Sequence, residues 1–160
     1  MSLPRDVWAR TAAERSISLI GLHTGEQIDT VYWQDGRYVP EALKRIDRVL
    51  RDHRTNEVKA IDPSLLDLLF VLGTTLEIAQ PIGVISGYRS PKTNALLREF
   101  SNGVAKNSFH TKGKAIDIRV TERRLRDVHR AALDLKAGGV GFYPRSNFVH
   151  VDTGPVRHWS

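Results

Sequence analysis

The sequence predicts a single α+β domain with a small central antiparallel sheet and flanking helices. Short stretches of alternating apolar and polar residues are interspersed with stretches of helical periodicity. The 160 residues, of which 41% are hydrophobic, are enough for one core. Glycine and proline mark turns and form no linker, so residues 16–160 are expected to be one domain. Residues 1–15 are expected to form a poorly ordered N-terminal extension.

The chain is expected to begin with a β-hairpin and two helices. Residues 16–22 and 27–33 have the pattern of strands, and residues 23–26 between them supply the glycine of a short turn. A helix is predicted over residues 40–52. A second helix, over residues 62–79, begins with an Asp-Pro pair that suits a helix start. Because this second helix is apolar on most sides, we expect it to be buried at the centre.

The second half of the chain is predicted to alternate between short strands and helices. If the strand at 114–120 and the last strand are antiparallel neighbours, polar side chains on the two can share one face of a sheet. In chain order the elements are a strand at 83–86, a helix at 92–100, a strand at 114–120, a helix at 121–137, and strands at 140–143 and 147–151.

Two histidines and an aspartate are the candidate metal ligands. His110 precedes a predicted strand, Asp117 lies on that strand, and His150 lies on the last one. Two imidazoles and a carboxylate leave one position of a tetrahedral zinc ion open, as in catalytic zinc sites. The chain has no cysteine, which excludes a thiolate zinc site and thiol catalysis. The aspartate could instead form an ion pair with Arg119 or Lys114, and spacing alone does not decide between these interpretations.

The net charge of +6 favours an anionic partner. Nucleic acid, anionic lipid and acidic cell-wall polymer all fit that description. The sequence contains no recognisable nucleic-acid motif, so we expect no nucleic-acid partner. It also has no run of roughly 20 apolar residues, the length that a membrane helix needs. Residues 1–15 lack the basic-then-apolar layout of a signal peptide.

Several separated motifs resemble those of the LAS zinc peptidases, which include D-Ala-D-Ala carboxypeptidases, VanX-like dipeptidases and hedgehog-like domains. The stretch VISGYRSP at 84–91 resembles their arginine-bearing signature, and SFHTKGKAID at 108–117 resembles their His and Asp ligand motif. Other segments resemble the YcbK/MepK branch of murein endopeptidases more narrowly. Together the motifs cover residues 16–159. The segments of narrower resemblance lie at 23–26, 61–63, 103–107 and 138–155.

The resemblance implies a zinc peptidase fold and a function in the cell wall. By position, His110, Asp117 and His150 would bind one zinc ion per chain, and Arg89 would hold a substrate carboxylate or the polarised carbonyl. The implied activity is hydrolysis of peptidoglycan cross-links. These are 3-3 links between two meso-diaminopimelate residues or 4-3 links between D-Ala and meso-diaminopimelate. Peptidoglycan stem peptides would be the partner, the location periplasmic, and a monomer is favoured.

The general base is left open by the sequence. Many LAS enzymes carry Glu-x-x-His or His-x-His ending at the last ligand, but here those positions hold Asn147 and Phe148. Asp152 follows His150 by two residues and therefore faces the same side of the strand. It is the candidate base, or else a carboxylate that orients a ligand imidazole. Both roles fit the sequence equally.

The remaining expectations concern the substrate groove. Tyr88, Ser108 and Tyr143 are candidate substrate-binding residues, although half-buried packing suits the two tyrosines equally well. His158 lies near the chain end, where mobility argues against a site role, but residues 158–159 could pack back over the cleft. An alternative to the enzyme is a non-catalytic peptidoglycan-binding module that retains the fold.

Overall fold

The computed structural model describes residues 13–160 of the chain. They form one mixed sheet of eight strands, together with four α-helices and a short 3-10 helix. This confirms the predicted α+β class, although the sheet is larger than expected and includes two parallel strand pairs. Most of the predicted N-terminal extension, residues 1–12, lies outside the described residues. Glu14 and Arg15 already belong to the first strand.

The helices and strands expected from the sequence are present, with ends that differ by a few residues. The strands are β1 (Glu14–Gly21), β2 (Gln27–Gln34), β3 (Arg37–Tyr38), β4 (Ile82–Ser86), β5 (Ala115–Arg119), β6 (Gly139–Tyr143), β7 (Phe148–Asp152) and β8 (Arg157–Trp159). The helices are α1 (Pro40–Val49), α2 (Pro63–Thr75), α3 (Pro91–Phe100) and α4 (Leu125–Leu135), with the 3-10 helix at Phe109–Lys112.

The sheet order is β3-β2-β1-β4-β5-β7-β6-β8. Strands β3 and β8 were not predicted because they are only two and three residues long. No helix within residues 13–160 reaches the length and apolarity needed to cross a membrane.

Helix α2 is the buried central helix that its apolar sequence predicts. Leu65, Leu66 and Leu69 are almost inaccessible to solvent. They belong to the same apolar cluster as Leu19 of β1 and Ile116 of β5. Burying a leucine side chain contributes about 1.5–3 kcal/mol. The cluster therefore ties α2 firmly to the sheet and fixes the position of β5.

Strand β5 lies between β4 and β7 and pairs antiparallel with both. The antiparallel pairing expected for β5 and the last predicted strand is thus confirmed. In this register Asp117 lies opposite His150. Residues directly opposite each other on antiparallel strands project to the same face of the sheet. The first four residues of β5 are buried, so both faces of this strand are covered and Asp117 is held inside the protein.

Candidate metal centre

Three side-chain atoms of the kind that bind metal converge beside β5 and β7. His110 Nε2 lies 3.2 Å from Asp117 Oδ1 and 3.2 Å from His150 Nδ1. His150 Nδ1 lies 2.9 Å from Asp117 Oδ1. All three side chains are buried. The structure thus brings together the three residues that the sequence singled out, within the span of one coordination sphere.

His110 reaches this centre from the short 3-10 helix that precedes β5. The Ser108 hydroxyl oxygen caps the helix by accepting a hydrogen bond from the His110 backbone N–H at 3.2 Å. Gly113 ends the helix with φ 66°, a left-handed conformation that suits glycine. A Cβ at Gly113 would also collide with the carbonyl oxygen of Ala60. The loop can therefore place His110 against β5 only because residue 113 is glycine.

Hydrogen bonds to the outer ring nitrogens fix the tautomers of the two histidines. His110 Nδ1 lies 2.8 Å from the carbonyl oxygen of Gly87, which can only accept, so Nδ1 carries the proton. His150 Nε2 lies 2.8 Å from Asp152 Oδ2 and likewise donates to it. The inner nitrogens, His110 Nε2 and His150 Nδ1, are therefore left with their lone pairs. Those lone pairs point at each other and at Asp117.

This donor set fits a divalent cation. Two imidazole lone pairs and one carboxylate oxygen at such short range repel each other unless positive charge lies between them. Without that cation, protons on the two imidazoles supply the positive charge: burial would raise the pKa of the Asp117 carboxyl, but the charge and hydrogen bonds of His110 and His150 lower it. Asp117 is therefore held as the carboxylate, the form that binds metal. Two histidines and one aspartate are ligands that zinc accepts.

Asp152 lies on the far side of the His150 ring from the three converging atoms, and it is completely buried. Besides His150, it accepts hydrogen bonds from the backbone N–H groups of Gly139 at 3.0 Å and Gly154 at 2.9 Å. Arg157 donates to both of its oxygens, at 3.0 Å and 2.8 Å. Burial would raise the pKa of Asp152, but these hydrogen bonds lower it. An Asp152 carboxylate with all its acceptor sites occupied suits the orienting role and is a poor general base.

Arg89 lies beside the centre at the end of the loop that follows β4. Its guanidinium is 3.8 Å from Asp117 Oδ2, and its Nη1 donates to Asn94 Oδ1 at 3.2 Å. Asn94 in turn donates to the carbonyl oxygens of Ala105 and Lys106, at 3.1 Å and 3.4 Å. Arg89 Nε is buried and has no partner among the described residues. The outer nitrogens carry four N–H bonds, of which the described residues use two, and the side chain lines the cleft, so part of this guanidinium is left for a ligand.

The alternative ion pair for Asp117 does not form. Arg119 donates instead to the carbonyl oxygens of Ser146 and Asn147, at 3.1 Å and 2.8 Å. These bonds hold the turn between β6 and β7. Among the described residues, Arg89 is the cation nearest to Asp117.

A cleft of about 620 Å³ opens onto the centre, and its walls include Arg89, Ser108 and Tyr143. Tyr88 is not among the residues that line it. Tyr88 is 8% exposed and belongs to the apolar core. Burial of an aromatic ring there is more favourable in free energy than its exposure to water. The expectation that Tyr88 binds substrate is therefore not supported.

Two residues on β8, Arg157 and Trp159, line the cleft. The expectation that the chain end packs back over the cleft is thus confirmed for Trp159, whereas Arg157 was not expected there. β8 pairs in parallel with β6, so the end of the chain is held in the sheet and His158 is not in a mobile tail. The Trp159 ring centroid lies 5.1 Å from that of His150. A three-residue strand has too little sequence pattern to predict, and it is defined here by long-range pairing with β6.

The chain matches a family model described as peptidoglycan L,D-endopeptidase MepK over residues 9–159. It is 48% identical, over 149 residues, to peptidoglycan L,D-endopeptidase MepK of Escherichia coli strain K12. That match covers 93% of this chain and 82% of the relative. It is also 45% identical, over 160 residues, to probable peptidoglycan L,D-endopeptidase MepK of Haemophilus influenzae, a match that covers 98% of this chain and 86% of the relative.

Proposed function

The chain belongs to the family of the peptidoglycan L,D-endopeptidase MepK, and from this membership we propose that it is a zinc-dependent endopeptidase that cleaves peptidoglycan cross-links. The observation that carries the proposal is the convergence of His110 Nε2, Asp117 Oδ1 and His150 Nδ1 within hydrogen-bonding range of one another. The preferred bond is the 3-3 link between two meso-diaminopimelate residues, in keeping with the L,D specificity in the relatives' names.

His110, Asp117 and His150 would hold the zinc ion. Zinc bound there supplies a Lewis acid that polarises an amide carbonyl and lowers the pKa of a water molecule. The protein contributes the orientation of its ligands. The carbonyl oxygen of Gly87 and the carboxylate of Asp152 each hold one imidazole in the required tautomer.

Arg89 would bind a carboxylate of the stem peptide. Its guanidinium is next to Asp117 and faces the cleft, and it has donors that the protein does not use. A planar guanidinium binds a carboxylate through two parallel hydrogen bonds, which fixes the orientation of the bound group. Peptidoglycan stems carry several free carboxylates, and the net charge of +6 favours their approach.

The test is digestion of purified cross-linked muropeptide dimers, 3-3 and 4-3 separately, with and without a chelator. We expect about one zinc per chain by elemental analysis and chelator-sensitive cleavage of the 3-3 dimer. His110→Ala should lose both zinc and activity, whereas His23→Ala, exposed in the turn after β1, should keep both. Intact dimers after incubation with the zinc-loaded protein would favour the non-catalytic binding module instead.

The proposed substrate places the protein in the periplasm, where peptidoglycan lies. We expect it to act there as a monomer. Fractionation of cells that express the natural gene, followed by light scattering of the purified protein, tests both expectations. A cytoplasmic protein would contradict the proposed substrate.

A further inference from the structure

Tyr143 and Trp159 form a hydrogen-bonded pair in the wall of the cleft. The Trp159 indole N–H donates to the Tyr143 hydroxyl oxygen at 2.7 Å. The Tyr143 ring is stacked on that of Phe148, with centroids 4.4 Å apart. Trp159 lies opposite Gly141 in the β6–β8 pairing, and a Cβ at Gly141 would approach the indole to 2.7 Å. The tyrosine is therefore fixed by a stacking partner and by a hydrogen-bond donor.

The indole partner also fixes the direction of the Tyr143 hydroxyl group. An indole N–H can only donate, so the phenol oxygen must accept from Trp159. The phenol proton then has to point elsewhere. Within residues 13–160, no protein acceptor lies within hydrogen-bonding distance of it. Because Tyr143 lines the cleft, that proton is available to a bound substrate.

The pair lies in the same cleft as the metal centre. The Trp159 ring is next to His150, and Tyr143 shares the cleft with Asp117 and Arg89. When an amide is hydrolysed, negative charge develops on its carbonyl oxygen. A pre-oriented donor aimed at that oxygen stabilises the transition state more than the ground state.

We propose that the Tyr143 hydroxyl donates a hydrogen bond to the scissile carbonyl oxygen as its charge develops, and that Trp159 is the positioning residue that aims it. This inference rests on the proposed function. It assigns Tyr143 a role in catalysis, beyond lining the groove.

Tyr143→Phe and Trp159→Phe test the two parts of the inference. Tyr143→Phe keeps the stack on Phe148 and removes the hydroxyl, so kcat on the 3-3 dimer should fall about 10- to 100-fold with little change in KM. Trp159→Phe keeps an aromatic ring near Gly141 and loses the N–H together with part of the indole ring. It should lower kcat by a smaller factor, on the order of 3- to 10-fold. In the Tyr143→Phe background it should have no further effect, since it acts through the missing hydroxyl.

A second measurement does not depend on activity. The indole N–H resonance of Trp159, identified by its loss in Trp159→Phe, should move upfield in Tyr143→Phe as its acceptor is removed. Bound zinc should stay unchanged in both variants, and thermal unfolding should stay unchanged in Tyr143→Phe. Tyr38→Phe, which removes a phenol hydroxyl on β3, should leave kcat unchanged and serves as the matched control.

Three outcomes would overturn the inference. They are a Tyr143→Phe kcat within about twofold of the wild type, a rise in KM alone, or an equal effect of Trp159→Phe in both backgrounds. An inactive wild-type protein would instead reject the proposed function, and the catalytic role of Tyr143 with it. The resonance shift would then still report whether Trp159 and Tyr143 are in contact.

Discussion

At the scale of single residues, the site depends on how its ligands are oriented as much as on which ligands are present. Asp152 lies outside the three converging atoms, yet it fixes the His150 tautomer and is itself held by Arg157. Arg89 is likewise fixed by Asn94. Each group that would touch zinc or substrate thus has a second residue that limits its movement.

Asp152→Asn separates the two roles left open for this residue. The change removes the negative charge behind His150 and turns one acceptor into a donor. We expect zinc affinity to fall about 10- to 100-fold, with cleavage recovering at saturating zinc. Competition with a chromophoric chelator measures the affinity.

The control for Asp152→Asn is Asp127→Asn, which changes a carboxylate on α4 that is paired with the exposed Arg124. It should bind zinc like the wild type. Normal zinc affinity together with lost turnover in Asp152→Asn would instead identify Asp152 as the base.

Arg89→Lys tests the carboxylate clamp. Lysine keeps the charge but loses the planar fork, so kcat/KM for the 3-3 dimer should fall about 10- to 100-fold. The steady-state rates should be compared on a dimer with its free carboxylates and on one in which they are amidated. Amidation of the dimer should lower the kcat/KM of the wild type strongly and that of Arg89→Lys only slightly. Equal impairment of both proteins would show that Arg89 binds no carboxylate.

At the scale of elements, the sequence predicted those with a long repeating pattern and missed those defined by pairing alone. The alternation around Ile116, Asp117 and Ile118 predicted β5, and the apolar run predicted α2. The proximity of Asp117 and His150 was predicted from one assumption, that their two strands are antiparallel neighbours. For Trp159 the sequence suggested only that residues 158–159 could pack back over the cleft, because β8 depends on a parallel contact with β6 that no local pattern encodes.

The roles of Tyr88 and Asp152 were also beyond the sequence. Which side of a loop faces the core is decided by packing, and Tyr88 lies on the core side. The choice between base and orienting carboxylate for Asp152 depends on donors from Gly139, Gly154 and Arg157. Those donors come from different segments of the chain. Spacing relative to His150 could show only that Asp152 is close.

Asp52→Asn tests how the contact between the end of α1 and the start of α3 stabilises the fold, and how that stabilisation depends on pH. Asp52 follows α1 and accepts hydrogen bonds from the backbone N–H groups of Ser90, at the start of α3, and of Arg54. Burial would raise the Asp52 pKa, but hydrogen bonds from Thr93, Ser90 and Arg54 lower it. A lowered pKa in the folded state stabilises the protein above the unfolded pKa of about 3.9, and this stabilisation is lost as the pH falls further.

We therefore expect Asp52→Asn to lower the free energy of unfolding at pH 7 by about 1–3 kcal/mol. The difference from the wild type should shrink as the pH falls below about 4. Urea denaturation at a series of pH values measures it. Asp29→Asn, an exposed carboxylate on β2, should change little at any pH. If the loss in the free energy of unfolding of Asp52→Asn relative to the wild type did not vary with pH, the charge of Asp52 would be unimportant for stability.

At the scale of the whole molecule, one sheet contributes to both stability and chemistry. Strands β1, β2 and β4 to β7 share the core cluster with α2, and the five strands from β4 to β8 also bring the site together. Arg89 follows β4, Asp117 lies on β5 and His150 on β7. Tyr143 ends β6, and Trp159 lies on β8. The site exists only when all five strands are paired.

Removal of zinc should therefore weaken the fold as well as abolish activity. A ligand that binds only the folded state, at about 100 times its Kd, adds about 2.7 kcal/mol of stability. We expect chelation to lower the Tm of the wild type and zinc to restore it, as measured by calorimetry. His110→Ala should melt at the same temperature with and without zinc. A wild-type Tm that does not respond to zinc would argue against a resident metal.

The bonds of Asn94 have a consequence for attempts to redesign specificity. The Asn94 amide bonds both to Arg89 and to the carbonyl oxygens of residues 105–106, so a shift of that segment would also shift the arginine. Replacing the segment around residues 105–106 with that of a relative would displace Arg89, unless the new segment kept both carbonyl oxygens in place. Successful chimeras should therefore exchange helix α3 together with the segment that follows it, through residue 106.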